Sequence, residues 1–238
     1  MREEEERIER LANNFETFCP AVEELVSPGG FRDSGLAVVS SVFSIRANDR
    51  SVRAAVDSFA KYFNLEVAPL NPSGSEEDQY PVERLAQDLL GFTETELCAT
   101  VFQNSATSPS VGVPKAVLVA AVAPRLVKAG VRVRSHVAMQ REDPRYTDQK
   151  RAWVDVDGLG WVTFEYFRLL CGAETSKPDV MVHRWLTSVL DETLSDADAV
   201  ATVTSLSEEL GRRWGTTVSS RAVDHMIWRK ESGREGGE

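Results

Sequence analysis

Two glycines one residue apart, Gly158 and Gly160, separate two helix-compatible stretches, and this feature most constrains the fold of the chain. Because glycine has no Cβ, it adopts positive φ at little cost, so the pair predicts a tight turn between two helices. The strongly apolar stretch after Gly160 predicts a helix whose first N–H groups and positive dipole end lie at residues 160–162. Such a helix start commonly binds phosphate, so the sequence predicts an anion site here.

A second feature is Asp179, which follows the glycine pair by about one helix and a loop. Gly172 predicts the end of the apolar helix, and Pro178 disfavours helix at Lys177 while fitting the first turn of a new helix. We therefore expect Asp179 at or near the start of a helix that runs to about Leu190. An aspartate in this place caps a helix or serves as a charged catalyst, and the sequence alone leaves both interpretations open.

Together these residues resemble the helix-hairpin-helix DNA glycosylase superfamily, which contains endonuclease III and the alkyl-purine glycosylases. Residues 158–160, Gly-Leu-Gly, match the family hairpin, and residues 179–184, Asp-Val-Met-Val-His-Arg, match its D-x-x-[VI]-x-R pattern. The likeness is patchy but keeps the family order from about Gly35 to Trp228. It implies a mainly α, two-lobed helical fold with one helix-hairpin-helix motif.

The resemblance also implies an activity, which is hydrolysis of the N-glycosidic bond of a damaged or modified base flipped from duplex DNA. Asp179 would stabilise the positive charge that develops on the deoxyribose, or activate water. A monovalent cation held by the turn carbonyls is the only cofactor implied. The hairpin residues that would hold a DNA phosphate are Gly158, Leu159, Gly160, Trp161 and Val162. The further DNA contacts would come from Arg46, Lys115 and Arg184.

Several departures from the family pattern limit which activity and which cofactors we expect. Bifunctional members carry a lysine two residues after the second hairpin glycine, and Val162 stands there instead. The product would then be an abasic site rather than a nicked strand. Arg46 replaces the usual glutamine of an early turn; it would be a base-pocket or wedge residue, or simply a surface arginine. Three scattered cysteines predict no iron–sulfur cluster, and residues 71–80 read as an insertion.

The net charge of the chain disfavours a DNA partner, whereas the distribution of that charge allows one. The 238 residues carry a net charge of −10, which disfavours nucleic acid. However, residues 115–184 contain 12 Lys plus Arg against 8 Asp plus Glu, so the acidic excess lies elsewhere in the chain. We therefore expect one basic face whose DNA binding is strongly sensitive to salt. The histidines lack metal-ligand spacing, so no metal site is predicted. The sequence has no apolar run of membrane-spanning length and no secretory signal, which predicts a cytoplasmic protein without a membrane partner.

The predicted organisation is a single glycosylase-like domain over residues 1–238, built from two helical lobes. The recognisable parts are residues 35–155 and 156–200, the N- and C-terminal helices complete the other lobe, and residues 232–238 form a disordered tail. Local patterns further predict a helix over residues 115–129 that is kinked or split at Pro124, a short strand within 131–139, and three short C-terminal helices. The N-caps predicted for these helices are Ser195, Ser205 and Ser219.

A rival prediction keeps the fold but not the chemistry. The acidic balance, Arg46 and the missing lysine favour a non-catalytic helix-hairpin-helix module that binds DNA or a protein partner. A third hypothesis has the hairpin grip the acidic tail of another protein. Asp179 discriminates the first two: a carboxylate that faces a cleft supports catalysis, and one fully engaged by backbone N–H groups supports the module.

Overall fold

The computed structural model describes residues 2–26, 29–71 and 77–233, and this part of the chain contains eleven α-helices and no β-strand. The prediction of a mainly α protein is confirmed. The helices are α1 (Arg2–Phe15), α2 (Ser34–Phe43), α3 (Asp49–Tyr62), α4 (Val82–Asp88), α5 (Glu94–Glu96), α6 (Lys115–Lys128), α7 (Tyr146–Val154), α8 (Trp161–Leu170), α9 (Val180–Leu190), α10 (Asp196–Trp214) and α11 (Ser220–Glu231). Short 3-10 turns lie at Val22–Glu24 and Arg134–His136, and a π-helical turn lies at Leu97–Val101.

The chain divides into two compact units. One unit combines residues 1–28 with 174–238, and the other comprises residues 29–173. Helix α8 belongs to the 29–173 unit, where it packs on α2. The apolar surface of α8 lies in the core of that unit, and its burial fixes the boundary after the helix.

Helix α2 forms the centre of the 29–173 unit. All ten of its residues are buried, and it packs on α3, α4, α6 and α8. A helix that is apolar on every side is stable only when surrounded, which explains this central position. Next to it, the Phe102 ring stacks between Phe43 and Phe59, with ring centroids 5.1 and 5.0 Å away.

The 1–28/174–238 unit is a separate helical assembly. Helix α1 packs on α9 and α10, and α11 packs on the same two helices. Trp185 of α9 is fully buried, and its indole N–H donates to the Asn14 side chain at 3.0 Å. Phe15 lies edge-on to that indole. The periodic apolar residues of α1 thus have their partners in helices near the other end of the chain.

Three local predictions are corrected. Helix α6 continues through the exposed Pro124, so the predicted split is wrong, because buried residues on both sides of the proline, Ala123 and Leu126, hold both halves in the same core. Residues 131–139 form no strand and contain a 3-10 turn instead. Ser195 caps α10 as predicted, but Ser205 lies inside this 19-residue helix, so the predicted break there is wrong. Ser205 occupies a helix interior because the apolar pattern on both sides of it is continuous.

The predicted insertion at residues 71–80 is only partly described, since residues 72–76 lie outside the described part of the chain. Its second half is tied to the start of α2. The Asp78 carboxylate accepts hydrogen bonds from the Ser34 hydroxyl (2.6 Å) and from the backbone N–H of Arg134 (2.7 Å). Asp33 accepts from the N–H groups of Gln79 and Tyr80. These bonds tie residues 78–80 to the start of α2, and Tyr80 is buried in the core.

Residues 234–238 of the predicted tail also lie outside the described part, whereas Ser232 still donates its N–H to the Trp228 carbonyl. None of the helices in the described residues is both long and apolar enough to cross a lipid bilayer.

Candidate phosphate-binding hairpin and catalytic aspartate

The turn between α7 and α8, residues 155–160, is the α7–α8 hairpin. Gly158 has φ of +96°, which favours glycine, and Gly160 is the extended N-cap residue of α8. As a glycine, the N-cap residue Gly160 brings no capping side chain to the first N–H groups of α8. The prediction of a tight turn between two helices is confirmed.

The two glycines have different roles in this turn. A Cβ on Gly158 would lie 2.7 Å from Val111 Cγ2 and 3.1 Å from Ser108 Oγ, and the Ser108 hydroxyl donates to the Gly158 carbonyl at 3.2 Å. A Cβ on Gly160 would meet no atom within 4 Å, and Gly160 is exposed. Gly158 therefore fastens the turn to the 108–111 loop, while Gly160 leaves open space in front of the first α8 amides. Leu159 is buried in the core between them.

A buried hydrogen-bond chain fixes the first residue of α8. The Trp161 indole N–H donates to the Tyr146 hydroxyl at 2.8 Å, and that hydroxyl donates to Glu165 at 2.8 Å. The other Glu165 oxygen accepts from Arg168 at 2.6 Å, and both of these side chains are buried. The chain links the starts of α7 and α8, so it holds the helix end in a fixed place.

Positive charge lies beside this helix start. The Arg141 guanidinium is 4.8 Å and the Lys150 ammonium 5.7 Å from the centroid of the Trp161 ring, both within cation–π range. The acidic residues Asp155 and Asp157 on the hairpin itself are exposed and oppose this charge. Val162 is half-buried and brings no polar group. The hairpin thus combines an open helix end with two nearby cations.

Lys115 requires a correction as a DNA contact. Its side chain is 4% exposed, and its ammonium donates to the carbonyls of Phe43 (3.1 Å) and Ile45 (2.6 Å) at the end of α2. Burial lowers the pKa of Lys115. A cation at a helix C-terminus stabilises the last carbonyls and the dipole, so Lys115 stabilises the end of α2 from the floor of the groove that Arg46 also lines.

Arg46 does lie at the surface of the 29–173 unit. Its φ is +43°, an uncommon conformation for a residue with a side chain. It is exposed at the edge of a groove whose lining includes Asn48, Asn104 and Thr107. Thr107 belongs to the same loop as Ser108, which contacts the hairpin. The groove and the hairpin therefore share one loop.

In the 1–28/174–238 unit, Asp179 is the N-cap of α9. Its Oδ1 accepts from the N–H groups of Met181 (2.8 Å) and Val182 (3.2 Å). Its Oδ2 is 4.0 Å from the Lys177 ammonium, and the side chain is 20% exposed. The capping interpretation is confirmed, but it occupies only one carboxylate oxygen. One oxygen of Asp179 is therefore engaged by backbone N–H groups, as the module hypothesis predicts, and the other oxygen takes no part in the cap.

Lys177 and Asp224 join Asp179 in what we call the acid–amine cluster, which sequence reasoning missed. The Lys177 backbone N–H donates to Asp224 Oδ1 at 2.8 Å, and Asp224 on α11 is 8% exposed. Burial, with a contribution from Asp179, raises the pKa of Asp224 to about 8. Burial also lowers the pKa of Lys177. No local pattern could reveal the pair, because 47 residues separate its members.

A model of the family described as "Domain of unknown function (DUF8548)" matches residues 9–232. The chain belongs to this family. No curated protein and no solved structure matches it. The family description names no activity.

Arg184 is the remaining predicted DNA contact, and it lies at the surface of this DUF8548 member. Arg184 on α9 is 55% exposed, with its guanidinium 3.8 Å from Glu231, so it can reach an anion in solvent. The His183 ring lies 2.8 Å from the Asp196 carboxylate. Within the described residues no three His, Cys, Asp or Glu side chains are grouped as metal ligands. The chemistry available is therefore anion binding at the hairpin and carboxylate or amine chemistry at the acid–amine cluster.

Proposed function

We propose that this protein is a cytoplasmic, monofunctional DNA N-glycosylase with a helix-hairpin-helix glycosylase fold, acting on a damaged or modified base in duplex DNA. The observation that carries the proposal is the open start of α8 behind Gly160, with Arg141 and Lys150 beside Trp161. Backbone N–H groups at a helix start, together with nearby cations, suit a DNA phosphate.

Asp179 supplies the chemistry in this proposal. Its capping bonds hold the carboxylate in one orientation, and Oδ2 takes no part in the cap. When a base is extruded and its glycosidic bond lengthens, positive charge develops on the sugar. A fixed carboxylate stabilises that charge and can direct a water molecule to the sugar. Since Val162 has no amine, we expect hydrolysis that releases the base and leaves an abasic site.

The catalytic test compares base release from a panel of duplexes with alkylated, deaminated, oxidised and hypermodified bases. Alkali reveals the abasic sites. Asp179→Asn and Asp179→Ser both keep a capping oxygen but remove the charge, so we expect folding to persist while release of one base falls by about 100-fold or more. Asp57→Asn, an exposed change on α3, is the matched control. Unchanged release in both Asp179 variants would refute the assignment.

The binding test uses the open space at Gly160. Gly160→Asp adds a carboxylate that can accept hydrogen bonds from the first N–H groups of α8 and that repels phosphate. Gly160→Asn adds a neutral cap of the same size. We expect Gly160→Asp to weaken binding of a fluorescent duplex at least about 5-fold relative to Gly160→Asn, a difference of about 1 kcal/mol. Equal affinities would remove the hairpin from the DNA interface.

A non-catalytic DNA-binding module is the second candidate, and one observation favours it. Asp179 Oδ1 is engaged by two backbone N–H groups, as a structural cap would be. In this case duplex binding would depend on the Gly160 substitutions as above, and no base of the panel would be released. The two assays together separate the candidates.

A further inference from the structure

We propose that the groove between the α2–α3 turn and the loop of residues 104–109 binds a phosphate monoester, either a free nucleotide or the terminal phosphate of a nucleic-acid strand. The groove lies in the 29–173 unit, with Lys115 at its floor and Arg46 at its edge, and encloses about 250 Å³. That volume is slightly below the range of drug-sized ligand sites, so it suits a small ligand. Such a site is independent of the proposed glycosylase activity.

The Lys115 ammonium is a buried charge that lines the groove and has no carboxylate partner. Two of its three N–H groups donate to the carbonyls of Phe43 and Ile45, and the third has no acceptor among the described residues. Burial lowers the pKa of Lys115, and no carboxylate of the described chain offsets that desolvation. Because buried charges in proteins are normally paired, this ammonium favours an anion in the groove.

Two asparagines that line the groove offer donors to a ligand. Asn48 Oδ1 accepts the Ser51 N–H at 2.9 Å, and Asn104 Oδ1 accepts the Ala106 N–H at 2.9 Å. Each carbonyl oxygen is therefore engaged by the backbone, whereas neither amide Nδ2 has a partner in the part of the chain that the structure describes. Amide N–H groups bind phosphate oxygens and repel cations, so these side chains also favour an anion.

The charge of the groove fits a phosphate monoester. Arg46 is exposed at the groove edge and forms no ion pair with the described residues. None of the described residues that line the groove carries a carboxylate, and Asp49, which follows Asn48, is bonded to Arg53 at 3.1 Å outside that lining. A phosphate monoester carries a charge of about −1.5 to −2 at neutral pH, which two cations balance. A phosphodiester, with one charge, is balanced less well.

Isothermal titration calorimetry of the full chain with inorganic phosphate, at constant ionic strength, tests the site. Arg46→Gln removes an exposed cation. Asn48→Asp keeps an N-cap oxygen for α3 and replaces an amide donor by a negative charge, so the fold should persist. We expect saturable phosphate binding whose affinity falls at least about 5-fold in Arg46→Gln and at least about 10-fold in Asn48→Asp.

Asn64→Asp and Arg125→Gln make the same chemical changes away from the groove. Asn64 is exposed past the other end of α3, roughly 20 Å from the cap, and Arg125 is exposed near the end of α6. Both controls should bind phosphate as the unmodified chain does. Gly160→Asp, which blocks the hairpin, should keep the binding that the two groove variants lose.

The source of the phosphate is identified with two further probes, thymidine 5′-monophosphate and a short 5′-phosphorylated oligonucleotide, each compared with its unphosphorylated form. Tighter binding of the mononucleotide supports a free ligand, and tighter binding of the oligonucleotide supports a strand end. The proposal is overturned if inorganic phosphate shows no saturable binding, or if both groove variants bind it as tightly as the controls. Loss of binding in Gly160→Asp alone would assign the phosphate to the hairpin and also overturn the proposal.

Discussion

Asp224→Asn should stabilise the protein, although it changes a buried, hydrogen-bonded side chain. The asparagine oxygen can still accept the Lys177 N–H, so the main change is the loss of a carboxyl group that is costly to ionise. The pKa of Asp224 rises from 3.8 to about 8 in the folded protein. Folding therefore favours the protonated form, and the unfolded chain ionises first as the pH rises.

The sign and the pH window follow from this shift. The stability contributed by the Asp224 proton is fully present below about pH 4, declines as the pH rises, and is lost by about pH 8. Each pKa unit corresponds to about 1.4 kcal/mol, so the loss approaches roughly 4 kcal/mol at pH 7. Asparagine is neutral throughout and loses nothing. Allowing for imperfect replacement of the acid by the amide, we expect Asp224→Asn to be about 1 to 4 kcal/mol more stable at pH 7 to 8.

Urea unfolding followed by circular dichroism at pH 4.5, 6, 7 and 8 measures this effect. The stability difference between Asp224→Asn and the unmodified chain should be small at pH 4.5 and grow steadily to pH 8. Asp57→Asn, which changes an exposed carboxyl group, should show no such trend. If Asp224→Asn is less stable at pH 7 to 8, then Asp224 is ionised and forms a true ion pair with Lys177, and the reasoning fails.

Three further predictions concern the 29–173 unit. Gly158→Ser should destabilise the protein by about 1 to 3 kcal/mol, because of the positive φ at this position and the close approach of Val111. Gly160→Ser should be neutral or slightly stabilising. Equal effects of the two substitutions in thermal unfolding would contradict the different roles of the two glycines. Lys115→Met should destabilise by about 1 to 3 kcal/mol and leave duplex affinity unchanged in anisotropy titrations, since its ammonium serves two buried carbonyls; weaker binding at unchanged stability would restore it as a DNA contact. If the two hairpin cations neutralise about two phosphates, duplex affinity should fall roughly 12-fold between 50 and 200 mM salt, and a salt-independent affinity would argue against phosphate contacts.

Local sequence signals predicted the elements that local forces determine. The glycine pair gave the turn because positive φ at Gly158 is a property of one residue and its neighbours. Asp179 was placed at a helix start by the proline before it.

Signals that depend on distant residues were misread or missed. Lys115 looked like a surface cation, because nothing near it in sequence shows that its ammonium reaches the end of α2, about 70 residues earlier. Asp224 gave no signal, since its partner Lys177 lies on another segment. The apolar surface of helix α8 likewise does not say which core the helix enters. Tertiary partners, rather than propensity, decide these three cases.

The capping role of Asp179 and its proposed catalytic role support each other. The N–H groups of Met181 and Val182 fix one oxygen, so the carboxylate does not need to be ordered again in the transition state. The start of α9 is also a favourable place for a negative charge. Asp224, the more deeply buried acid, is the member of the cluster with the raised pKa, so it holds the proton at neutral pH while Asp179 faces the ammonium of Lys177. A helix N-cap thus holds a charged catalytic group in a fixed orientation. Substitutions of Asp179 that keep the cap but remove the charge separate the capping role from the proposed catalytic role.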